Sequence, residues 1–421
     1  MATSTDKSVI TCDLEGRIET FGGAAEPIFG WSADEVIGKK RVSLFSPGPV
    51  VLEHVPRWLK TSVEQGSFET DTVFVKKDGT PFPAHVRISP TFKGGQQIGY
   101  CGVTEPLPAS ELARAQPKIS FATRLFVGLV ITRAPFLTAT LIPVLLGGAL
   151  AAQARAFDGG LFALALVGAL ALHVAANTWN DLFDWRSGTD QANNDYFLPF
   201  SGGSRSIELG LITERGLSIV AWCAALVAIG CGAALAFFGT PWVLGVGAAG
   251  GLLGFFYTAP PLRLSARRGL GELAVTLAFG PLLVLGVFVA VTGRLDGMAA
   301  LAGLPLGLLT ANILLINEFP DAKSDALTGK NHLVVTFGAR GARVLYALIL
   351  ATAVLSHVGM VIAGLLPVLS LLALLSLPLA ARALLALARN LEDRKLVAGN
   401  KATINLQMAY GLLMTVGVWL G

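Results

Sequence analysis

Long apolar runs, repeated from residue 134 to the end of the chain, most constrain what this sequence can fold into. A helix that crosses a membrane needs about 20 mostly apolar residues, and such runs are the main sequence signal for one. Nine runs qualify: roughly 134–152, 160–181, 216–238, 241–258, 269–292, 297–316, 342–364, 365–388 and 402–420. The sequence therefore predicts a mainly α-helical, polytopic membrane protein with about nine transmembrane helices.

Basic residues between these runs predict how the helices are oriented. Fifteen Lys and Arg residues fall in one set of loops, whereas the alternate set holds only Arg155 and Arg294. Because cytoplasmic loops carry an excess of Lys and Arg, we expect the N-terminus and the charged loops in the cytoplasm and the protein in the inner (plasma) membrane. The position of these residues beside apolar runs indicates a lipid bilayer, and not nucleic acid, as the partner of the basic excess.

The first 110 residues lack such runs and are typical of a small soluble α/β domain. Residues 13–18 predict two strands joined by a tight turn, and residues 24–39 predict short helices broken by glycine. Residues 74–82 predict a hairpin with an Asp-Gly turn, and residues 99–103 a closing strand. No signal peptide is predicted. We expect a domain over residues 1–110, a linker over 111–123 and the membrane domain over 124–421.

Carboxylates of the membrane half gather in two short stretches at the predicted cytoplasmic side. In the first stretch, offsets of 0, 3, 4 and 7 put four side chains on one helix face: Asn177, Asn180, Asp181 and Asp184. Gly188 is expected to end that helix and to let the chain bring Asp190 back. In the second stretch, Asp321 and Asp325 are four residues apart and also share a face.

Two such clusters at the rim of a helical bundle indicate bound divalent cations. Crowded carboxylates repel each other, and burial near lipid strengthens the repulsion. Mg²⁺ would remove this conflict, since it prefers carboxylate, amide oxygen, water and substrate phosphates as ligands. The chemistry that fits is ionisation of an allylic diphosphate followed by capture of the allylic cation. Solvated helix caps are the plain alternative; a channel or transporter would place acids within the spans, where Glu272 is the main one.

With these motifs, residues 120–421 resemble the UbiA superfamily of membrane prenyltransferases. Both acidic motifs match, the stretch from Tyr257 to Arg263 matches the family's tyrosine-containing loop, and Arg133-Ala-Pro135 resembles the start of its first helix. The resemblance implies nine helices around a central cavity and a side opening to lipid for the prenyl tail. It also implies that the acidic motifs hold a polyprenyl diphosphate through Mg²⁺ or Mn²⁺.

The resemblance also assigns roles to single residues. Six would bind metal: Asn180, Asp181, Asp184, Asp190, Asp321 and Asp325. Five would contact the diphosphate: Asn177, Asn180, Arg205, Arg263 and Lys330. Three would be catalytic, namely Asp184, Asp321 and Tyr257, the last because a ring face can stabilise a cation. For each basic residue, a role in membrane topology alone is the plain alternative, and for Tyr257 a place in the core.

The aromatic acceptor is open at this point. Asn177, the spacer over residues 187–190 and Gly329-Lys330 resemble the branch that prenylates 1,4-dihydroxy-2-naphthoate in menaquinone synthesis. The stretch from Asn317 to Asp321 departs from that branch, where an arginine often precedes the Asp. Two other acceptors therefore stay open: 4-hydroxybenzoate and a glycerol phosphate lipid precursor.

Residues 8–105 resemble a PAS sensor domain, although Gly22-Gly23 stands where an Asn is common. We expect this domain to regulate the enzyme, with its ligand open. His54 or His85 could bind haem, but a packed or surface histidine is the plainer interpretation. A protein-interaction or dimerisation module without cofactor is an alternative. For the whole chain, the alternative is a membrane sensor that binds a lipid or quinone without turnover.

Overall fold

The computed structural model describes residues 7–192, 203–389 and 396–421. By the contacts along the chain it divides into two units, each described here by itself. The first combines Met1–Ile131 with Arg205–Thr213, and the second combines Thr132–Ser204 with Glu214–Gly421. The domain boundaries at residues 110 and 123 stay predictions.

The first unit contains a five-stranded antiparallel sheet. Its strands are β1 (Ser8–Asp13), β2 (Ile18–Gly23), β3 (Phe68–Val75), β4 (Pro81–Lys93) and β5 (Gln96–Pro106), in the order β2-β1-β5-β4-β3. Between β2 and β3 lie α1 (Ala25–Phe29), α2 (Ala33–Val36), α3 (Gly48–Glu53) and α4 (Val55–Gln65), and after β5 lie α5 (Leu112–Ala115) and α6 (Phe121–Ile131). The small α/β domain predicted from the sequence is thereby confirmed.

Local sequence signals explain the turns of this sheet. Gly79 adopts φ 84°, a left-handed conformation that glycine reaches without steric cost, and the Asp78 carboxylate accepts the amide of Thr80 at 2.9 Å. Gly30 ends α1 in the same backbone region. Inside, the Phe29 ring lies 4.3 Å from the Phe45 ring and 5.7 Å from those of Phe74 and Phe82. This aromatic cluster holds α1 against the sheet.

The second unit is built from helices. They are α7 (Thr138–Gln153), α8 (Gly159–Arg186), α9 (Thr189–Ala192), α10 (Glu214–Phe238), α11 (Trp242–Phe256), α12 (Leu270–Leu277), α13 (Leu283–Thr292), α14 (Gly297–Leu327), α15 (Leu333–Ile362), α16 (Leu377–Arg389) and α17 (Val397–Leu420). A π-helical segment, Ala278–Leu282, joins α12 to α13, and a 3₁₀ helix, Val368–Ser376, precedes α16. Within the described residues, eight helices are long and apolar enough to cross a membrane.

The fourth predicted run is the one that falls short of a full span. It forms α11, which has 15 residues. Pro241 stands just before this helix, and Pro260 and Pro261 follow four and five residues after its end. Proline cannot donate a backbone hydrogen bond inside a helix, so these residues limit its length. The polytopic fold is confirmed, with eight full-length helices and this shorter ninth one among the described residues.

Past the C-terminal ends of their predicted apolar runs, α8 and α14 continue as helices, and this extension positions the acidic clusters. The run expected to end at residue 181 continues as α8 to Arg186, and the run expected to end at residue 316 continues as α14 to Leu327. Hydropathy falls where the carboxylates begin, but the backbone hydrogen bonds of the helix continue. Both acidic stretches therefore lie on the last turns of long helices.

Small residues let α14 approach the α12–α13 helix closely. A Cβ atom on Gly303 would lie 2.5 Å from the carbonyl oxygen of Gly280, and one on Gly307 would lie 2.1 Å from that of Thr276. Glycine at such seams allows backbones to pack in lipid, where dispersion replaces the hydrophobic effect as the driving force. This seam fixes α14, which carries the second acidic cluster.

The seam predicts a large effect for a small substitution. Gly307→Ala forces a methyl group against the Thr276 carbonyl, and overpacking of this kind costs about 1–3 kcal/mol. We expect the thermal unfolding midpoint in detergent to fall by several degrees. Gly230→Ala on α10 is the matched control, because its Cβ would meet no atom within 4 Å. Equal midpoints for the two variants would contradict the account of the seam.

Candidate active site

The first acidic cluster lies on the last three turns of α8. Asn177, Asn180 and Asp184 line a cavity of about 240 Å³, as their shared helix face predicts. Asp181 is buried beside that face, and its Oδ1 accepts the backbone amide of Ser204 at 3.3 Å. Its second oxygen, Oδ2, is buried without a hydrogen-bond partner among the described residues. A carboxylate oxygen left in this way is a ready ligand for a cation.

Arg133 neutralises part of this cluster. Its Nη2 donates to Oδ1 of Asp181 and, at 3.3 Å, to Oδ1 of Asn180. The residue has φ 52°, which turns the chain sharply just before the 3₁₀ helix Ala134–Leu137 and aims the guanidinium at α8. The sequence motif Arg133-Ala-Pro135 therefore marks a site residue as well as a helix start.

Asp190 lies close to the first acidic cluster, as expected from a chain turn at Gly188. Gly188 has φ 80° two residues after the end of α8, and Asp190 is buried. A Cβ on Gly203 would lie 2.9 Å from Arg133 Nη2, 3.0 Å from Asp181 Oδ1 and 3.5 Å from Asp190 Oδ1. Gly203 is thus packed among all three side chains, and its φ of 73° would strain any larger residue there.

The second acidic cluster faces the same cavity from α14. Asp321 and Asp325 both line it, together with Asn317 and Glu318. Lys330 bridges the two clusters, because its Nζ lies 3.3 Å from Asp184 Oδ2 and 3.7 Å from Asp325 Oδ2. Burial lowers the pKa of Lys330, but the attraction to these carboxylates outweighs it and holds the pKa well above its usual range. The ammonium group therefore stays charged.

A buried histidine stands behind this cluster. Nε2 of His332 lies 3.3 Å from Asp325 Oδ2, and Nδ1 lies 3.2 Å from Glu318 Oε2. Burial opposes protonation, but the contacts with Asp325 and Glu318 prevail and raise the pKa of His332 to about 9. Both contacts are ion pairs by distance and lack hydrogen-bond geometry, and the neutral ring would accept the Val334 amide at Nδ1, 3.2 Å away.

The cavity reaches from the acidic clusters into the bundle. Tyr257 lines it after the end of α11, next to residues of α8, the α12–α13 helix and α14. A second, apolar cavity of about 680 Å³ lies between α8, α10, α11 and α13. Five residues line both cavities: His173, Ala176, Gly254, Ala278 and Phe279. The polar cavity and the apolar cavity are therefore adjacent and are separated by these shared residues.

Two predicted diphosphate contacts lie outside this lining. Arg263 has φ 41° and begins the 3₁₀ helix Leu264–Ala266, where it is partly buried. Arg205 belongs to the first unit, where its buried guanidinium lies against Glu208. Their diphosphate roles stay predictions.

Three site residues escaped the sequence analysis: Arg133 as a cation, Glu318 and His332. Arg133 lies in a motif that predicts the start of a helix, and Glu318 in a stretch that departs from the branch pattern. His332 follows Lys330 by two residues, and only the turn between α14 and α15 brings it back to Asp325. In the part of the chain that the structure describes, no three His, Cys, Asp or Glu side chains converge enough to hold one metal ion alone.

The comparisons with known proteins agree with this fold. Residues 140–411 match the UbiA prenyltransferase family, and residues 1–107 match the PAS fold. The chain therefore belongs to the UbiA prenyltransferase family: it is a multi-pass membrane enzyme that transfers prenyl groups and carries a PAS fold at its N-terminus.

Two relatives of this chain share one name. The chain is 28% identical over 288 residues to 1,4-dihydroxy-2-naphthoate octaprenyltransferase of Bacillus subtilis (strain 168), a match that covers 68% of this chain and 90% of the relative. The protein of the same name from Mycobacterium tuberculosis is 31% identical over 211 residues, 50% of this chain and 70% of the relative. The apo structure of a UbiA homolog from Aeropyrum pernix K1 shares the fold, with a TM-score of 0.51 and 18% identity over 67% of this chain and 97% of that one.

The Lys330 bridge can be tested by removing its charge. Lys330→Met leaves the buried Asp184 and Asp325 without their shared cation, and breaking a buried pair in this way costs about 3–5 kcal/mol. We expect a clearly lower unfolding midpoint in detergent with EDTA. Lys323→Met, at an exposed position on α14, is the control and should melt like the parent. If Lys330→Met also melted like the parent, the bridge would not stabilise the site.

Proposed function

We propose that this chain transfers a prenyl group from a polyprenyl diphosphate to an aromatic acceptor at the cytoplasmic side of the inner membrane. The observation that carries the proposal is the pair of acidic clusters on α8 and α14, which line one cavity from two sides. Lys330 between them, and Arg133 beside the first, supply the positive charge that a diphosphate requires. The charge asymmetry of the loops supports the cytoplasmic orientation.

The donor set fits Mg²⁺ or Mn²⁺. Carboxylates and an amide oxygen are the ligands these ions prefer, and the unpartnered Oδ2 of Asp181 is one of them. Since no three acidic or imidazole groups among the described residues converge on one point, each ion would share its coordination with diphosphate oxygens. The residues that would hold it are Asn180, Asp181, Asp184 and Asp190 on one side and Asp321 and Asp325 on the other. Bound there, the metal would neutralise the charge that develops on the departing diphosphate.

The protein's own groups would guide the reaction. The allylic C–O bond breaks, diphosphate leaves, the acceptor ring forms the new C–C bond, and the ring then loses a proton or a carboxylate as CO₂. Lys330, Arg133 and Asn177 would orient the leaving group. Tyr257 lines the same cavity, and its ring face would stabilise the allylic cation. The roles of Arg205 and Arg263 at the diphosphate belong to the same proposal.

The apolar cavity would take the prenyl chain. Its walls come from α8, α10, α11 and α13, and it shares five lining residues with the polar site. A polyprenyl diphosphate has the same division into a charged head and an apolar tail. This match between cavity and substrate supports a prenyl diphosphate over a small charged solute.

We propose 1,4-dihydroxy-2-naphthoate as the acceptor, which would place the enzyme in menaquinone synthesis. The names of the Bacillus and Mycobacterium relatives support this choice. The ring is electron-rich, so it would capture an allylic cation readily. Glu318 stands in the stretch that departs from the branch pattern and lines the cavity, so the acceptor has to be tested directly.

Membranes containing the protein should convert a labelled polyprenyl diphosphate and 1,4-dihydroxy-2-naphthoate to a prenylated, decarboxylated product. A panel with 4-hydroxybenzoate and a glycerol phosphate separates the acceptors, and product is identified by mass spectrometry. Asp184→Asn and Asp321→Asn keep shape but remove charge, so we expect a loss of turnover of at least about 100-fold. Use of only another acceptor would overturn the naphthoate assignment. Parental turnover in either variant, or in excess EDTA, would overturn the mechanism.

The PAS fold would regulate this reaction through a loop that belongs to the same unit. In that unit the Gly48 amide of α3 donates to the Gly210 carbonyl at 3.3 Å, so α3 packs on the loop Arg205–Thr213. The residue before this loop, Ser204, donates to Asp181, and the residue after it, Glu214, accepts from Arg186 at 2.8 Å. Within the second unit, the two residues that flank the loop are therefore bonded to α8. Any coupling would require that the PAS signal favour one of two loop states; its ligand and a PAS dimer stay predictions.

A chain that begins at Lys118 should keep measurable prenyl transfer, with an altered rate, because none of the proposed metal ligands precedes residue 180. Gly48→Ala tests whether the PAS fold acts through the loop Arg205–Thr213. The new Cβ would lie 2.1 Å from the Leu209 carbonyl oxygen, so it must displace the loop. We expect an altered rate in this variant but not in Gly128→Ala, whose Cβ meets nothing within 4 Å. A shortened chain that folds but never turns over would make the PAS fold part of the catalytic machinery.

A further inference from the structure

The loop between α14 and α15, residues 328–332, is held in place on several sides. The amide of Asn331 donates to the Ala266 carbonyl at 3.2 Å, and the amide of Leu333 donates to Glu272 Oε1 at 2.9 Å. The amide of Lys330 donates to the Asp325 carbonyl at 2.9 Å. These bonds come from three different elements and hold the loop in the arrangement from which Lys330 reaches Asp184.

His332 occupies the middle of this arrangement and is buried, with 1% of its surface exposed. Glu318 and Asp325 are seven residues apart on α14, which is two helical turns, so both carboxylates project from one face. The imidazole fits between them, with its two nitrogens at 3.2 and 3.3 Å from their oxygens. Asp325 thereby has His332 on one side and the cavity on the other.

We propose that His332 is a positioning residue for the diphosphate site: it fixes the Asp325 carboxylate toward the cavity through Nε2, while Nδ1 anchors the ring to Glu318. This inference rests on the proposed function, since it assigns Asp325 to the metal–diphosphate complex. His332 itself does not line the cavity, and so it acts through Asp325. A carboxylate held by such a partner loses less rotational freedom when it binds a cation, and loss of the partner weakens metal binding by about 10- to 100-fold in comparable sites.

The geometry allows the two nitrogens to be tested separately. The amide of His332→Asn can stand near the position of Nδ1, so this variant keeps a polar group beside Glu318 and the Val334 amide but loses the contact with Asp325. The longer His332→Gln can reach Asp325 in place of Nε2. A purely structural role, as the cap of α15, would be preserved by Asn and lost with Gln. If His332 positions Asp325, His332→Gln should keep ligand binding and His332→Asn should weaken it.

The readout is binding, without turnover. Calorimetry follows an unreactive allylic thiolodiphosphate and Mg²⁺ binding to the full-length protein in detergent, and unfolding midpoints without ligand check the fold. We expect about 10-fold weaker binding and a higher Mg²⁺ requirement for His332→Asn, and binding within about threefold of the parent for His332→Gln. Parental affinity in His332→Asn, or the reverse order of the two variants, overturns the inference. A parent protein that binds no analogue overturns the proposed function and the inference with it.

Discussion

Repulsion among carboxylates that face one buried cavity is the constraint on which the rest of this structure depends. Asp184, Asp321, Asp325 and Glu318 all line the same cavity, and three of them are buried, where solvent screens charge less than at the surface. Lys330 lies between two of them, and Arg133 offsets the charge of Asp181 beside them. An arrangement of this kind is costly without cations, so the fold is built to keep its own cations in place and to accept further ones together with a diphosphate.

The helices and loops around the cavity serve this balance. α8 and α14 continue as helices past their apolar runs, which keeps each cluster on a single face. The glycine seam fixes the position of α14 against the α12–α13 helix. The loop after α14 turns back toward the cavity, so that Lys330 reaches Asp184 on α8 and His332 reaches Asp325 on α14. The left-handed backbone of Arg133 turns another cation inward. The strained backbone of Arg133 and the close packing of Gly203 both occur where these charges are held.

The sequence predicted what depends on periodicity and composition. Apolar runs predicted the membrane helices, spacing predicted the shared faces of Asn177–Asp184 and Asp321–Asp325, and the Asp-Gly turn predicted the hairpin near Gly79. Hydropathy alone did not predict that α11 is short; the flanking prolines, which limit that helix, were the sequence signal for it. The sequence could not predict the roles of Arg133 and His332, since their partners lie 48 and 7 residues away and meet them only through a turn of the backbone.

The central claim is that the two clusters together hold a metal–diphosphate complex. The most direct measurement is anomalous diffraction from crystals grown with Mn²⁺ and an unreactive allylic thiolodiphosphate. The account predicts Mn²⁺ at direct coordination distance from carboxylates of both clusters, on α8 and on α14, with the diphosphate between them and its apolar chain in the cavity beside α10 and α11. A diphosphate held by Arg133 and Lys330 with Mn²⁺ at only one cluster, or at neither, would contradict it.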